Sequence, residues 1–386
     1  MPAQETADSR PVRIDAVVLD EDGRVVVKKV DLAPPGPGEV RVRVAAAGVC
    51  HSDLHVTAGA WQVPRPVVLG HEGSGVVTAL GDGVDELEVG DHVVLSWVPG
   101  CGNCRPCRAG RPAQCALVAS VVAPGGVLYD GTTRLSEAGR PIHHYLGVSS
   151  FAQEVVVPHS GAIKVRSDAP LEDIAIIGCA IATGVGAVRN TAAVRPKSTV
   201  AVIGCGGVGL ACVQAARIAG AMRIVAVDVV AEKLALATEL GATETVDAAA
   251  APDVVAALRA VEPDGYDYVF DAIGKITTTE QAIAALGLGG AAVIVGLPAQ
   301  GERAMFDPLA LAESDQRILG CNYGSSIPHR DIPALVDEVM AGRLDLSSMI
   351  SGRRPLSEAA DALTDLAAGH ALRQLLIPNR RGSATI

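Results

Sequence analysis

The stretch TVAVIGCGGVGLACVQAARIAG, residues 199–220, decides the fold of a large part of this chain. It opens with a short apolar run at 199–204, which is typical of a buried strand, and continues from 207 with helical spacing of apolar residues. Between the two lies a glycine turn of the form GxGxxG, made by Gly204, Gly206 and Gly209. A strand, a glycine turn and a helix in this order predict one unit of a parallel sheet.

The acid that ends the next apolar run predicts a nucleotide at this turn. RIVAVD (223–228) ends in Asp228, nineteen residues after Gly209. The glycines allow a pyrophosphate to approach the helix N-terminus, and Asp228 can accept hydrogen bonds from both hydroxyls of an adenosine ribose. We predict NAD rather than NADP, because a carboxylate repels a 2′-phosphate and no arginine follows it. Lys233 either reaches the same ribose or is a solvated helix residue. The alternative for the whole motif is a glycine turn that serves only the packing of the helix on the strand.

Strands and helices continue to alternate after this unit. A helix is predicted at 231–242, closed by Gly241, and two buried strands are predicted at 266–274 and 291–298. The alternation predicts an α/β fold with a doubly wound parallel sheet. A helix at 332–344 and a short strand near the end of the chain complete the pattern.

The first part of the chain has a different rhythm. Residues 12–157 hold short valine-rich runs separated by glycine and proline turns, which predict an irregular barrel or sandwich. Within this part, we expect residues 116–150 to be rich in loops. A β-rich domain therefore precedes the parallel sheet.

Composition excludes several classes of protein. The 386 residues carry a formal charge of −11 and no long basic run, which argues against nucleic-acid and anionic-membrane partners. The sequence has no apolar stretch of about 20 residues, so no transmembrane helix is predicted. The polar start MPAQETADSRP lacks the apolar core of a signal peptide, so we expect a cytoplasmic location.

Four cysteines within fifteen residues predict a metal site. They are Cys101, Cys104, Cys107 and Cys115. Four thiolates in one loop can close a tetrahedron around Zn²⁺, and a closed tetrahedron is a structural site. The spacing differs from ferredoxin clusters, whose fourth cysteine follows after three residues and precedes proline. A zinc ribbon for nucleic acid is an alternative that fits the acidic chain poorly.

Three further residues are candidates for a second zinc site. They are Cys50 in GVCHSDLH, His71 in LGHEGSG and Cys179 in IIGCAIATG. One imidazole and two thiolates leave one coordination position open, as in catalytic zinc sites. Their separation along the chain does not show that they meet, and a single buried cysteine or histidine is often a core residue.

Together these motifs resemble the zinc-dependent medium-chain alcohol dehydrogenases, over residues 12–378. The segment 116–150, with DGTTRL and YLGVSSFAQEVVV, is most similar to the class III branch, which includes glutathione-dependent formaldehyde dehydrogenases. The resemblance implies a GroES-like β-rich catalytic domain and a Rossmann nucleotide-binding domain. The implied bounds are 1–180 with 325–386 for the catalytic domain, 97–116 for its structural zinc lobe, and 181–324 for the nucleotide-binding domain.

The resemblance also implies the metal ligands and their neighbours. The four lobe cysteines match the structural zinc ligands, and Cys50, His71 and Cys179 match the catalytic ones. Asp53 matches the carboxylate that orients the zinc-bound histidine, and Glu72 matches an acid behind the zinc. Each chain is thus expected to hold two zinc ions and NAD.

Roles in proton transfer and cofactor binding follow from the same resemblance. Ser52 matches the hydroxyl that takes the substrate proton, and His55 matches the histidine that passes it to solvent through the nicotinamide ribose. The implied cofactor contacts are His51 and Arg373 at the pyrophosphate, Gly204, Gly206, Gly207, Val208 and Gly209 at the glycine turn, and Thr183, Val208, Val295 and Leu297 around the nicotinamide.

The chain departs from the class III pattern where that pattern recognises glutathione. ALVAS follows Cys115 without the expected arginine, and TAGAWQVPRP follows the proton-relay segment without the expected acidic pair. Trp97 matches a position in the substrate pocket and predicts an aromatic or narrow wall, with core packing as the alternative. Trp61 either lines the mouth of the pocket or covers the loop. Trp97 also gives a looser resemblance to actinobacterial mycothiol-dependent and NAD-retaining dehydrogenases.

The sequence therefore supports three functions. The first is an NAD-dependent zinc alcohol dehydrogenase for a primary alcohol, aromatic or extended, and its aldehyde. The second is a formaldehyde dehydrogenase acting on a thiol adduct other than that of glutathione, such as a mycothiol adduct. The third is a non-catalytic protein that binds zinc and nucleotide. The resemblance implies a homodimer joined through the nucleotide-binding domains.

Overall fold

The computed structural model describes residues 10–369 and 372–379, which fall into two units. The first unit comprises residues 10–179, 327–342, 349–369 and 372–379, and the second comprises residues 180–326 and 343–348. The polar segment at the start of the chain lies outside the described residues, except for its last two residues. So do the outer ends of the catalytic domain predicted at 1–180 and 325–386.

The elements are numbered in chain order. The strands are β1 (Val12–Leu19), β2 (Val25–Leu32), β3 (Glu39–Gly48), β4 (Val67–Val68), β5 (Gly73–Leu80), β6 (His92–Leu95), β7 (Leu135–Glu137), β8 (Arg140–His144), β9 (Glu154–Pro158), β10 (Ala162–Lys164), β11 (Thr199–Ile203), β12 (Arg223–Asp228), β13 (Glu244–Asp247), β14 (Tyr266–Asp271), β15 (Leu286–Ile294), β16 (Arg317–Gly320), β17 (Ile350–Arg354) and β18 (Arg373–Leu376). The helices are α1 (His51–Thr57), α2 (Arg105–Arg108), α3 (Ala123–Gly125), α4 (Leu171–Ile174), α5 (Ala180–Gly186), α6 (Gly207–Ile218), α7 (Ala231–Leu240), α8 (Val254–Val261), α9 (Ile276–Ala284), α10 (Pro308–Glu313), α11 (Pro328–Met340) and α12 (Ala359–Ala367).

The first unit contains a closed barrel and a second sheet. The barrel runs β1-β2-β7-β8-β4, and the second sheet runs β10-β6-β5-β3-β18-β17 with β9 paired to β3. In β3, the buried residues Val40, Val42 and Val44 alternate with the more exposed Arg41 and Arg43. This period of two places the valines on the core face of the sheet.

The barrel closes through a hairpin in the segment for which we expected loops. Strands β7 and β8 pair with each other, and they join β2 to β4. Buried Leu135 and Ile142 are directly opposite, and the turn between the strands has positive φ at Ala138 (50°) and Gly139 (78°). Such a turn matches the twist of a two-residue hairpin. The strands are too short for alternation to be visible in the sequence, so the loop expectation was wrong here.

The second unit confirms the predicted doubly wound parallel sheet. Its strand order is β13-β12-β11-β14-β15-β16, and every pair is parallel. The order reverses beside β11, whose carboxyl end leads into Gly204. Ligands of open α/β sheets bind at such a switch point, so this edge is where the glycine turn would be used.

No single helix in the described part of the chain is long and apolar enough to cross a membrane. One bent pair of helical segments passes on length and composition alone.

Candidate active site

Three separate turns of the first unit bring Cys50, His71 and Cys179 together. Cys50 is the N-cap of α1, His71 lies between β4 and β5, and Cys179 follows the helical turn Ala175–Gly178. Their ligand atoms all lie within 4.8 Å of one another, and all three residues are buried. The two sulfurs and one nitrogen thus form a cluster, which their separation along the chain could not show.

Asp53 ties two of these turns together. Its Oδ2 accepts the backbone N–H of Cys50 (3.0 Å), and its Oδ1 accepts the backbone N–H of Gly70 (3.2 Å). Oδ1 also lies 3.5 Å from Nδ1 of His71, and the Asp53 side chain is fully buried. Burial lowers the pKa of His71, but the charges of Asp53 and Cys50 outweigh it and hold that pKa well above its ordinary value. The imidazole is therefore held with Nδ1 toward the carboxylate.

The donor set fits a zinc ion. With Nδ1 facing Asp53, the nitrogen left for a metal is Nε2, which is buried and makes no hydrogen bond to the described residues. Two thiolates and one imidazole are zinc ligands, and three protein ligands leave a fourth position for water or substrate. A carboxylate behind the metal-binding histidine is the usual way to fix its ring.

A buried ion pair lies behind the cluster. Nη1 of Arg373 is 3.0 Å from Oε1 of Glu72 and donates a second hydrogen bond to the carbonyl of Val49 (3.0 Å). Both side chains are at most 5% exposed. Despite burial, the charges of Cys50 and Glu72 raise the pKa of Arg373 further. The structure thus places Arg373 against the acid that follows His71.

Helix α1 carries the residues expected to move a proton. Ser52 and His55 are three positions apart, which puts them on one face of the helix. Both are half-buried, whereas His51 is exposed. The helix is fixed at its start, because Cys50 and Asp53 form a capping box.

Two tryptophans predicted near the substrate differ in their contacts. The ring of Trp61 stacks on the imidazole of His55, with centroids 4.6 Å apart and an interplanar angle of 22°. Trp97 is half-buried and packs against the hydrophobic core of the first unit. The structure therefore associates Trp61 with α1.

Tyr145 is a candidate that the sequence analysis missed. Its hydroxyl donates to the backbone carbonyl of Ser52 (3.1 Å), and its ring meets that of His71 edge-on at a centroid distance of 5.5 Å. Burial raises the pKa of the Tyr145 phenol well above its ordinary value. A tyrosine directly after a strand is a weak signal, and only the barrel hairpin brings this one to the cluster.

The lobe cysteines form a second cluster in the same unit. The sulfurs of Cys101, Cys104, Cys107 and Cys115 lie within 4.8 Å of one another. Backbone N–H groups point at them, including that of Ala116 on Cys104 (3.4 Å). Hydrogen bonds from the backbone of Cys107 and Ala116 lower the pKa of Cys104 to about 6. Four converging sulfurs fit a closed tetrahedral zinc site.

In the second unit, the glycine turn has the space that a dinucleotide needs. Gly206 precedes α6, and a Cβ added there would meet no atom within 4 Å. A Cβ on Gly209 would lie 1.7 Å from the carbonyl oxygen of Gly204, so helix and strand can pack closely only with glycine. These residues fit a pyrophosphate at the helix N-terminus.

Asp228 is held at the same edge by backbone donors. Its Oδ2 accepts the N–H of Cys205 (2.7 Å), and its Oδ1 accepts those of Val229 (2.8 Å) and Val230 (3.0 Å). A carboxylate has about four acceptor sites, so one remains for a ribose hydroxyl. The hydrogen bonds from Asp228 to the ribose hydroxyls stay a prediction.

The other predicted cofactor residues of this unit are spread over several elements. Gly207 and Val208 begin α6, Thr183 is buried in α5, Lys233 lies half-buried in the first turn of α7, and Val295 (buried) and Leu297 (49% exposed) follow β15. The backbone N–H of Val295 donates to the carbonyl of Asp271 (3.0 Å), which joins the ends of neighbouring strands.

Comparisons with known proteins agree with both units. Residues 36–167 match the alcohol dehydrogenase GroES-like domain, and residues 207–341 match the zinc-binding dehydrogenase domain. A curated relative, the probable S-(hydroxymethyl)glutathione dehydrogenase 1 of Schizosaccharomyces pombe, is 36% identical over 92% of this chain and 94% of its own length.

Two solved structures are similar along their whole length. An alcohol dehydrogenase zinc-binding domain protein from Burkholderia ambifaria is 40% identical with a TM-score of 0.91, covering 96% of this chain and 100% of its own. Benzyl alcohol dehydrogenase from Acinetobacter calcoaceticus is 34% identical with a TM-score of 0.89, covering 95% and 99%.

Proposed function

Since this chain belongs to the zinc-dependent medium-chain alcohol dehydrogenase family, we propose that it oxidises an aromatic or extended primary alcohol to its aldehyde and transfers the hydride to NAD. One observation carries the proposal. The buried cluster of Cys50, His71 and Cys179 offers three ligands and leaves the fourth tetrahedral position for a substrate oxygen. A purely structural site would close that position, so the non-catalytic alternative is not favoured.

Zinc bound at this cluster supplies Lewis acidity toward an alcohol oxygen. The residues around it have supporting roles. Asp53 holds the tautomer of His71, and Glu72 with Arg373 balances charge behind the thiolates. We assign to Ser52 the acceptance of the hydroxyl proton and to His55 its release to solvent, because both lie on one face of α1 directly after Cys50.

The dinucleotide is assigned to the carboxyl edge of the parallel sheet. The open space at Gly206 and the buried carboxylate of Asp228 support this assignment, and a carboxylate at this position favours NAD over NADP. The remaining proposed contacts are His51, Thr183, Gly204, Gly207, Val208, Gly209, Lys233, Val295, Leu297 and Arg373.

Aromatic side chains support the choice of substrate. Tyr145 lies against His71, and Trp61 lies against His55, so the polar groups of this site have aromatic neighbours. Trp97 is proposed as a further wall. The similarity to a benzyl alcohol dehydrogenase points to the same chemical class.

The test is NADH formation by purified, zinc-replete protein. We expect turnover with benzyl and other extended primary alcohols, a lower kcat/KM with ethanol, and a kcat/KM at least about 100-fold lower with NADP than with NAD, a ratio equal to about 2.7 kcal/mol. Comparable use of ethanol and benzyl alcohol would contradict the substrate class. No turnover with any alcohol, in protein that retains two zinc ions, would contradict the function.

A thiol-dependent formaldehyde dehydrogenase is the second candidate, and the 36% identity to a probable S-(hydroxymethyl)glutathione dehydrogenase favours it. The absence of an arginine after Cys115 and of an acidic pair after α1 argues against glutathione itself. The same assay with formaldehyde decides the matter. Activity only with formaldehyde and a low-molecular-weight thiol together would replace the first proposal by this one.

We also propose a homodimer and a cytoplasmic location. Within the second unit, β16 is an edge strand of the sheet. The second unit also exposes four large apolar side chains, Leu288 (84%), Met305 (80%), Phe306 (49%) and Leu309 (64%). If they lie together, we propose that they form the surface through which two copies associate. None of the nine cysteines forms a disulfide, which suits a reducing compartment.

A further inference from the structure

Trp61 contacts the candidate proton-relay histidine in two ways. Its indole stacks on the imidazole of His55 with centroids 4.6 Å apart and planes 22° from parallel. Its backbone N–H donates to the carbonyl oxygen of His55 (3.1 Å). The chain therefore folds back over the end of α1, and a second ring covers one face of the first.

Backbone hydrogen bonds and core packing hold the segment that carries Trp61. The N–H of Ala58 donates to the carbonyl of Leu54 (2.8 Å), and that of Gly59 donates to the carbonyl of Val56 (3.1 Å). Gly59 has φ of +74°, which turns the chain back toward the helix. The half-buried Trp61 ring packs against the hydrophobic core of the first unit. The indole is thus packed against the core as well as against the imidazole of His55.

A packed neighbour matters for a half-buried imidazole near the end of a short helix. Without it, the His55 ring would exchange between rotamers, and few of these would keep a nitrogen directed along one proton path. Stacking on an indole holds the plane of the ring, and the indole face also attracts an imidazole that carries a proton. Both effects assist a residue that must receive a proton and then release it.

We propose that Trp61 is a positioning residue that holds the imidazole of His55 in the orientation from which it passes the substrate proton to solvent. The inference rests on the proposed roles of Ser52 and His55. In the overall reaction the alcohol loses a hydride to NAD and its hydroxyl proton to Ser52, and that proton leaves through His55. Trp61 forms and breaks no bond.

The competing role for Trp61 is a wall of the substrate pocket. A wall residue acts on the alcohol, so its removal changes KM for bulky alcohols whether or not His55 is present. A positioning residue acts through His55, so its removal has no effect once His55 is gone. The two roles therefore differ in whether the two substitutions are additive.

The kinetic test is a double-mutant cycle on rapid-mixing traces. Single-turnover NADH formation and proton release, the latter with a pH indicator, are measured for wild type, Trp61→Leu, Trp61→Phe, His55→Ala and the double variant Trp61→Leu/His55→Ala. We expect Trp61→Leu to slow proton release about 10-fold with less than a twofold change in KM for the alcohol, within the range of a positioned proton-transfer group. Trp61→Phe keeps an aromatic ring, so we expect it to release protons at no less than half of the wild-type rate. The double variant is no slower than His55→Ala.

A second measurement does not depend on activity. In NAD-free protein with labelled histidine, the ring current of Trp61 shifts the ring-proton resonances of His55 upfield. Trp61→Leu is expected to remove this shift, and Trp61→Phe to keep part of it. Trp97→Leu is the matched control, and it leaves the His55 resonances in place. An unchanged His55 spectrum in Trp61→Leu would overturn the inference.

The outcomes separate this inference from the proton path on which it rests. If His55→Ala releases protons at the wild-type rate, the proposed path is wrong. If His55→Ala is slow but Trp61→Leu is fast, only the role of Trp61 is wrong. Additive losses, or a folded Trp61→Phe as slow as Trp61→Leu, would also overturn it and assign Trp61 to the pocket wall or to an indole-specific contact.

Discussion

Among single residues, Asp53 makes contacts with two of the three turns that carry the candidate zinc ligands. It accepts hydrogen bonds from Cys50 and Gly70 and lies beside Nδ1 of His71. Asp53→Asn keeps the size of the side chain and removes its charge. We expect zinc affinity or activity to fall about 10- to 100-fold, as for other carboxylates behind a zinc-bound histidine.

Zinc content per chain and kcat/KM measure this effect. Asp22→Asn is the control, because Asp22 is an exposed carboxylate paired with Arg24. Full zinc content and wild-type kcat/KM in Asp53→Asn would show that the carboxylate has no part in holding the metal.

Tyr145 offers a second prediction at this scale. Tyr145→Phe removes the hydrogen bond to the carbonyl of Ser52 but keeps the edge contact with His71. A hydrogen bond of this kind contributes about 0.5–1.5 kcal/mol. Because its loss releases the turn that carries Ser52, we expect kcat/KM to fall about 2- to 10-fold.

Tyr266→Phe is the matched control for Tyr145→Phe. The hydroxyl of Tyr266 donates to the carbonyl of Leu258 (3.0 Å) in the second unit, and the residue is also buried. Both variants are expected to lose thermal stability, but only Tyr145→Phe to lose activity. Equal kcat/KM in the two would restrict Tyr145 to a structural role.

At the scale of elements, the four-cysteine lobe is held by few apolar contacts. Of its residues 101–115, only Ala113 and Cys115 are buried. Metal binding therefore supplies folding free energy for this loop. We expect Cys104→Ser to reduce zinc from two ions per chain to one and to lower the melting temperature.

Zinc analysis and thermal melting test this prediction, with Cys205→Ser as the control. Cys205 is buried in the second unit and belongs to neither cysteine cluster. The Cys205→Ser protein is therefore expected to keep two zinc ions per chain. Two zinc ions per chain in Cys104→Ser would show that the lobe is not a zinc site.

The barrel hairpin carries a pH-dependent contribution to stability. Burial, with the charges of Arg134 and His143, lowers the pKa of His144 in β8 to about 3. In the unfolded chain the pKa is about 6.5, so between these values the unfolded state binds the extra proton and stability falls as pH falls.

Between pH 7 and pH 5, we expect the His144 contribution to reach a slope of about 1.4 kcal/mol per pH unit. His144→Gln removes a titrating group and can still accept the N–H of Arg134, as Nε2 does now (3.1 Å). Urea unfolding at several pH values measures the slope, which should be smaller in the variant. The same slope in both proteins would show that His144 does not remain neutral in the fold.

At the scale of the whole molecule, the prediction concerns association. Leu288, Met305, Phe306 and Leu309 are exposed on the second unit, whose sheet ends at β16. Light scattering with size exclusion is expected to give twice the chain mass of 39.4 kDa. Met305→Glu would place a charge in the contact and shift the protein toward monomer.

Val89→Glu serves as a control for Met305→Glu, since Val89 is an exposed apolar residue (64%) of the first unit. It is expected to leave the mass unchanged. A wild-type protein that elutes as a monomer at micromolar concentration would contradict the homodimer.

Local patterns predicted several elements of the second unit correctly. RIVAVD coincides with β12, and the glycine turn lies between β11 and α6 as expected. The helix predicted at 332–344 instead spans Pro328–Met340, and it begins earlier because proline is favoured in the first turn of a helix. The hairpin of β7 and β8 was missed, since strands of three and five residues show too little alternation to read.

The sequence by itself determined the chemistry that depends on short spacing. The four cysteines lie within fifteen residues, and the glycine turn directly joins a strand to a helix. Residues so close along the chain stay close in space, so local geometry is enough to predict these two sites. Only the tertiary structure decided that Cys50, His71 and Cys179 converge, that Tyr145 reaches Ser52, and that Trp61 covers His55. The first two are contacts between distant segments, set by barrel closure and strand order, and the third depends on side-chain packing after α1. No local sequence pattern encodes any of these three contacts.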